Sequence, residues 1–526
     1  MDKHKFAYGK DRLSCSMAIS LARGETQGTI ESATREKLER CCKAVEHMAA
    51  GSMPVYGINT GFGPLCTTTI SADQTKILQR NLLISHAVGV GEPIGIETAR
   101  LMLVLKLHAL AQGYSGVSVN TLDRIMYLLD NWLTPVVPSK GSVGASGDLA
   151  PLAHLFLPLI GEGYLYDGRP TTKSQDFRPS QDLLQLPPLE LGPKEGLGLI
   201  NGTQFIAAHA VLLIERFHRC LAQADIVGAM MLEGLQGSIK PFIAELHKLR
   251  PFPANEHVAA RLRKLLTGSE ILEDHIDCDR VQDPYSLRCM PQVHGASRTA
   301  WLHLKQLTEI EINSVTDNPV VLDEQTAISG GNFHGQPLAM ALDYACLAAA
   351  ELGNISDRRV YLALEGGHGL PKLLMKDTGI NSGYMILQYT TAALVSENKT
   401  LCFPASADSV PTSLGQEDHV SMGSISGRKA LQVVGNLEKI LGIELLTAAQ
   451  AFDFRKPLRS GPLLEEVHSK LREFVSFAEV DRVFAPDIEI AGQLIQEGQL
   501  LKWTHRLAED QRLNFRQVQD GEFENY

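Results

Sequence analysis

The chain has 526 residues, 44% of them hydrophobic and 21% charged, which is the balance of a globular protein with a large core and excludes disordered or fibrous classes. Its formal net charge of −11, without a basic stripe carrying interleaved aromatics, argues against nucleic-acid and anionic-membrane partners. Nine scattered cysteines with no C-x-x-C pair read as reduced thiols of a cytoplasmic protein.

Met1 to Tyr8 are charged, unlike a secretory signal. Leu38, Cys41, Cys42, Val45 and Met48 recur at three- and four-residue spacing and predict a helix over 33–50. Pro54 to Gly63 must be a loop, and it carries Tyr56; it is either a packed connector or a mobile segment able to close over a site. Helices are expected over 73–87, 96–113 and 118–133. Gly141 to His154 is a glycine- and serine-dense turn feeding an apolar helix, with Asp148 as its N-cap and Pro151 in its first turn.

Residues 164–195, rich in Asp, Ser, Thr, Pro and Gly, read as a surface insertion or hairpin arm. Long helices follow over 201–236, 294–314, 336–364 and 424–452, and shorter ones with a charged, frayed end over 460–526. Glu215 and Asp343 interrupt the most apolar runs, which leaves both short of a membrane span. Strand-like alternation is scarce. The expected fold is therefore mainly α: a smaller N-terminal globular part, 1–115, then an elongated helical domain, 116–526, whose apolar helices pack within a bundle or between subunits.

Several polar clusters sit at glycine-rich breaks. In Ala145-Ser146-Gly147 the ordinary reading is a flexible turn. The chemical reading is that a compressed turn lets the Gly147 nitrogen attack the Ala145 carbonyl, and loss of water and of the Ser146 hydroxyl leaves an electrophilic methylene on a five-membered ring. Asn201 stands at the mouth of a long helix, where it either caps the helix with Thr203 or helps hold a carboxylate. Gln282, Tyr285 and Arg288 surround one proline, as a surface turn or as a carboxylate clamp suited to the planar guanidinium fork. Phe333 is either an aromatic wall or a core residue. Glu417, Asp418 and His419 are adjacent and cannot face one way on a helix, so no metal site is expected, and Glu417 is either part of a solvated turn or a base or cation partner in a pocket.

These blocks, in this order, resemble the aromatic amino acid ammonia-lyases. The resemblance rests on the Tyr56 loop, Ala145-Ser146-Gly147, Leu199-Ile-Asn-Gly-Thr203, Gln282 to Arg288, Asn313 to Pro319, Gly331 to His334 and Gln416 to His419, and it runs from about residue 50 to 460. It implies a fold like that of the fumarase and ammonia-lyase class. The cofactor implied is a 4-methylidene-imidazol-5-one formed autocatalytically from Ala145, Ser146 and Gly147, with no external cofactor. It also implies a homotetramer whose sites each draw on three subunits.

Ser85-His86 and Gln416-Glu417 resemble the branch of the family that acts on histidine, whose imidazole ring offers both a donor and an acceptor. What this resemblance implies is elimination of ammonia from L-histidine to give trans-urocanate, the first step of histidine degradation. Tyr56 would act as β-proton base, Arg288 and Asn201 would fix the carboxylate, Asn201 would also hydrogen-bond the imidazolone oxygen, Tyr285 would support the reaction as a catalytic residue, and Gln282 and Phe333 would complete the pocket. His86 and Glu417 would hold the ring, with Glu417 an alternative base. A tyrosine or phenylalanine lyase, or an aminomutase, is the alternative on the same scaffold.

Overall fold

In the computed structural model of the protein, residues 5–63, 70–168, 176–276 and 280–513 are described. The first four residues of the charged start, 169–175 of the expected arm and 514–526 of the charged end lie outside them. The chain forms two compact units. One comprises Met1–Leu212, Leu304–Asp343 and Pro404–Arg428, the other Leu213–His303, Tyr344–Phe403 and Lys429–Tyr526. This division differs from a single cut at 115/116. Helix Ile96–Ala111 packs on Val119–Asp130 and on Leu149–Phe156, so the elements on either side of 115 share one core.

The first unit is built around helix Ile96–Ala111. Every residue from Thr98 to Ala111 is buried, the pattern of a helix that is apolar on all sides because it has no solvent face. Its two buried cations donate to backbone carbonyls. Arg100 donates to Ala22 O at 2.6 Å and to Leu129 O at 3.0 Å, and Lys106 to Asn201 O at 2.6 Å. Cys15–Ala22 and Val119–Asp130 pack on it; Ser32–Ala50, Ala72–His86 and Val119–Asp130 lie close to the expected ranges, while Cys15–Ala22 was not expected. Ser14 and Ser118 cap two of these helices by accepting the Met17 and Thr121 amides.

The short strands went unpredicted because two to four residues are too few to alternate visibly. Phe6–Ala7 pairs in parallel with Gly28–Thr29, and Val90–Pro93 pairs antiparallel with Pro138–Lys140. Tyr164–Asp167 lies between Leu133–Pro135 and Phe177–Pro179 in an antiparallel sheet. The expected arm is thus a hairpin, though not purely a surface one, since Leu165, Tyr166 and Ser180 are buried.

In the second unit the described helices carry charged groups into their core as a connected set. Asp225 accepts from Arg261 Nε at 2.7 Å, Arg298 Nη2 at 2.5 Å and His294 Nδ1 at 2.8 Å. Arg359 grips Glu444 through Nε and Nη2, and its Nη1 reaches Ser286 O at 3.4 Å. Paired and hydrogen-bonded in this way, the charges escape the large penalty of an isolated buried ion.

Helix Met385–Leu401 had no sequence signal. Its buried face includes Thr391, bonded to Asp357, and Asn398, bonded to Asn436, so no apolar stripe marks it. Helix Gln336–Leu364 corrects the membrane-length expectation. Asp343 does not shorten it, and by length and composition it could span a bilayer. Its most apolar stretch is nevertheless 72% buried within the fold, as in a core helix. Seven described cysteines are free thiols, and no group of three or more metal-ligating side chains occurs among the described residues.

Candidate active site

The site grows from the turn at 141–148. Gly144, Ser146 and Gly147 all have positive φ, at 78°, 52° and 77°. A side chain at 147 would place its Cβ 2.1 Å from Gly202 O, so this backbone approach needs glycine twice over. The turn is locked to the segment before helix Gln204–Gly234, where Asp148 N donates to Gly202 O at 2.7 Å. A tight left-handed turn with an unhindered Gly147 nitrogen fits the cyclisation read from the sequence.

Asp148 stands at the head of helix Leu149–Phe156 but does not cap it with its side chain. Its buried carboxylate instead accepts the Ile206 amide at 3.0 Å and the Ser142 hydroxyl at 3.1 Å, which caps the neighbouring long helix. Burial raises its pKa to about 7 despite these donors. Asn201 and Thr203, expected as caps for that helix, are engaged elsewhere. Asn201 Nδ2 donates to Ser146 O at 2.7 Å, and Thr203 donates to Glu311.

A cavity of about 780 Å³ opens over Ser146. Its walls include Tyr56, His86, Asn201, Phe333 and Glu417, so five residues singled out from separate parts of the sequence meet around Ser146. Ser146 Oγ donates to Glu417 Oε1 at 2.6 Å, while Thr412 and Ser413 hydroxyls hold Oε2 at 3.0 and 2.8 Å. Reciprocal backbone hydrogen bonds between Thr412 and Glu417 close the turn that presents this carboxylate. Tyr56 Oη accepts the Gly63 amide at 3.3 Å.

His86 ends helix Ala72–His86, with Nδ1 3.0 Å from Ser85 Oγ. Burial lowers its pKa, against the opposing pull of a Leu82 backbone hydrogen bond and the Glu417 charge, which favours the neutral ring. Phe333 is a cavity wall rather than a core residue.

Gln282, Tyr285 and Arg288 are absent from this cavity's walls and belong to the second unit. Tyr285 and Arg288 form one short helix, Tyr285–Arg288, in which the guanidinium lies over the tyrosine ring at 4.5 Å and Nε donates to Asp283 O at 2.9 Å. Tyr285 is 71% exposed.

Sequence reasoning passed over Lys106 and the hydroxyls of Thr412 and Ser413. A lysine within Leu101-Met-Leu-Val-Leu-Lys-Leu107 was the available sign of the first, because an unpartnered charge does not persist in so apolar a run.

A helical scaffold that gathers a strained Ala-Ser-Gly turn, a loop tyrosine, a histidine and a carboxylate around one cavity is that of a lyase. The family model of aromatic amino acid lyases matches residues 13–473, and the chain belongs to this family. It is 46% identical over 506 residues to a histidine ammonia-lyase of Myxococcus xanthus, covering 95% of this chain and 98% of that relative. To the histidine ammonia-lyase of Anaeromyxobacter sp. it is 47% identical over 498 residues, or 93% and 98% of the two chains. Among solved structures, the histidine ammonia-lyase of Trypanosoma cruzi superposes with a TM-score of 0.88 at 36% identity, covering 99% of this chain and 97% of that one. The tyrosine aminomutase of Streptomyces globisporus gives 0.89 at 34% identity, with 96% and 99% covered.

Proposed function

We propose that this lyase eliminates ammonia from L-histidine to give trans-urocanate, using a methylidene-imidazolone made from Ala145, Ser146 and Gly147. The observation that carries the reading is the placement of Glu417 and His86 in the cavity that holds Ser146. An imidazole ring needs an acceptor at one nitrogen and a donor or acceptor at the other, and a carboxylate facing a neutral histidine meets both needs. A phenyl ring would leave these groups without partners, at about 1–3 kcal/mol each.

Once formed, the ring supplies an electrophilic carbon that turns the substrate amine into a better leaving group. Asn201 holds Ser146 O, the oxygen the ring retains, through its side-chain amide. Tyr56 takes the β-proton, its oxygen held in place by the Gly63 amide. The loop that bears Tyr56 excludes water when substrate is bound. Phe333 packs against the substrate's apolar edge.

Arg288, with Tyr285 and Gln282, fixes the substrate carboxylate. Because these three lie outside the walls of the cavity, the reading includes a homotetramer in which another copy supplies them. The enzyme acts in the cytoplasm.

The test combines mass and substrate. The intact wild-type chain should weigh two water molecules less than encoded, and Ser146→Ala should not. Offered histidine, tyrosine and phenylalanine separately, the wild type should generate ultraviolet absorbance of an unsaturated acid from histidine alone. A full encoded mass refutes the electrophile; efficient tyrosine or phenylalanine turnover refutes the substrate and favours the alternative lyase or aminomutase.

A further inference from the structure

Lys106 is 1% exposed in the centre of helix Ile96–Ala111, where a methionine or leucine would pack without the desolvation of a charge. Its one hydrogen bond among the described residues is to the main-chain oxygen of Asn201, at 2.6 Å. Three other charged groups act on it: Asp317, Lys194 and Asp148. All three are already committed. Lys194 Nζ is bonded to Asp317 Oδ2 at 2.7 Å and to Ser115 O at 2.8 Å, and Asp317 Oδ1 accepts the Ser115 hydroxyl at 3.0 Å. Asp148 is occupied with the Ile206 amide and the Ser142 hydroxyl. Burial lowers the Lys106 pKa to about 7, and its amino group is held against one backbone carbonyl with no direct ion pair.

That carbonyl is not an arbitrary one. The C=O of Asn201 and the N–H of Gly202 are the two ends of a single peptide unit, and the Gly202 N–H points at Ser146 O, 3.4 Å away. The same oxygen receives Asn201 Nδ2 at 2.7 Å. A cation drawing on a peptide oxygen polarises the N–H at the other end of that peptide and strengthens it as a donor. We infer that Lys106 is a positioning residue for the reaction: through the Asn201–Gly202 peptide it orients and polarises the donors that hold Ser146 O, the oxygen on which electron density gathers when the electrophile is formed and used. Preorganised donors at such an oxygen are among the larger contributions to catalysis in a site sheltered from water.

This rests on the electrophile proposed above, and the experiment separates the two. Full-length wild type, K106Q, K106M and K106R are compared by circular dichroism, intact mass at timed intervals after synthesis, near-ultraviolet difference spectrum, and KM and kcat for histidine. Glutamine keeps a donor to Asn201 O without the charge, methionine keeps neither, and arginine keeps the charge.

The expected result for folded K106Q is slower loss of the two water molecules, a shifted ring absorbance, an unchanged KM and a kcat lower by about 10-fold, a fraction of what losing a direct donor costs. K106M should be at least as impaired, and K106R should recover part of the rate. A folded K106Q with wild-type mass kinetics, spectrum and kcat overturns the inference, as does equal impairment of K106Q and K106R. Failure of all three variants to fold assigns Lys106 to the core alone and also overturns it. A wild-type chain of full encoded mass instead brings down the reading beneath it.

Discussion

Glu417→Gln isolates the charge that the proposed substrate choice depends on. Glu417 is the one acidic side chain among the described residues lining the cavity, so the substitution removes that carboxylate at constant size. The change should leave the local fold intact. The 412–417 turn is closed by backbone hydrogen bonds, and the Thr412 and Ser413 hydroxyls can turn to accept from the new amide.

The loss then falls on the substrate ring. A hydrogen bond to a charged group contributes about 1.5–3 kcal/mol, which at about 1.4 kcal/mol per decade is roughly a 10- to 150-fold fall in kcat/KM for histidine. A phenyl ring makes no such bond, so inhibition by phenylalanine should be unchanged or tighter. The assay is urocanate absorbance against histidine concentration, with phenylalanine as competitor. Equal weakening of histidine and phenylalanine, or no effect on either, refutes ring recognition by Glu417. A fall confined to kcat across the whole pH range, with KM unchanged, assigns Glu417 to proton transfer instead.

If the tetramer shares its sites, Ser146→Ala and Arg288→Ala are inactive separately but restore measurable turnover in mixed assemblies, because some sites then draw both intact residues from different copies. Mixed tetramers verified by mass yet no more active than either parent refute the sharing. Acid stability offers a test of the core. Burial lowers the pKa of His209 from 6.5 to about 4, with its Nδ1 bonded to Phe205 O at 2.8 Å. Between those values the unfolded chain binds the proton and the folded chain does not, so stability falls as pH drops through that window, by about 3 kcal/mol for this group. His209→Gln keeps a donor to the carbonyl without the titration. Its stability deficit against wild type in urea titrations should shrink by about that amount from pH 7 to 4, and parallel curves refute the assignment.

The mainly helical class and most of the long helices were legible in the chain by itself, as were Tyr56, His86, Ser146, Asn201, Phe333 and Glu417, which line the cavity. Helical periodicity is a local property, so 32–50, 96–111 and 336–364 announce themselves. The electrophile proposed from Ala145, Ser146 and Gly147 is likewise local, since its reacting atoms lie within three consecutive residues of one backbone.

What the sequence could not decide is where the polar side chains spend their hydrogen bonds. Asp148 reads as the cap of its own helix and in fact caps another, while the sequence leaves Asn201 as a cap, a carboxylate contact or a partner of the imidazolone oxygen, and in the fold its side-chain amide holds Ser146 O. Each choice depends on a partner distant in the sequence that only the folded core brings within about 3 Å. The same holds for Lys106, whose charge is tolerable only because the Asn201 carbonyl arrives beside it. Helix Met385–Leu401 makes the converse point, for its buried residues include Thr391 and Asn398 beside Leu387 and leave no apolar periodic trace. A local pattern fixes what a segment is. Long-range packing fixes what its polar atoms do, because desolvation drives buried donors and acceptors toward whatever partners the fold provides.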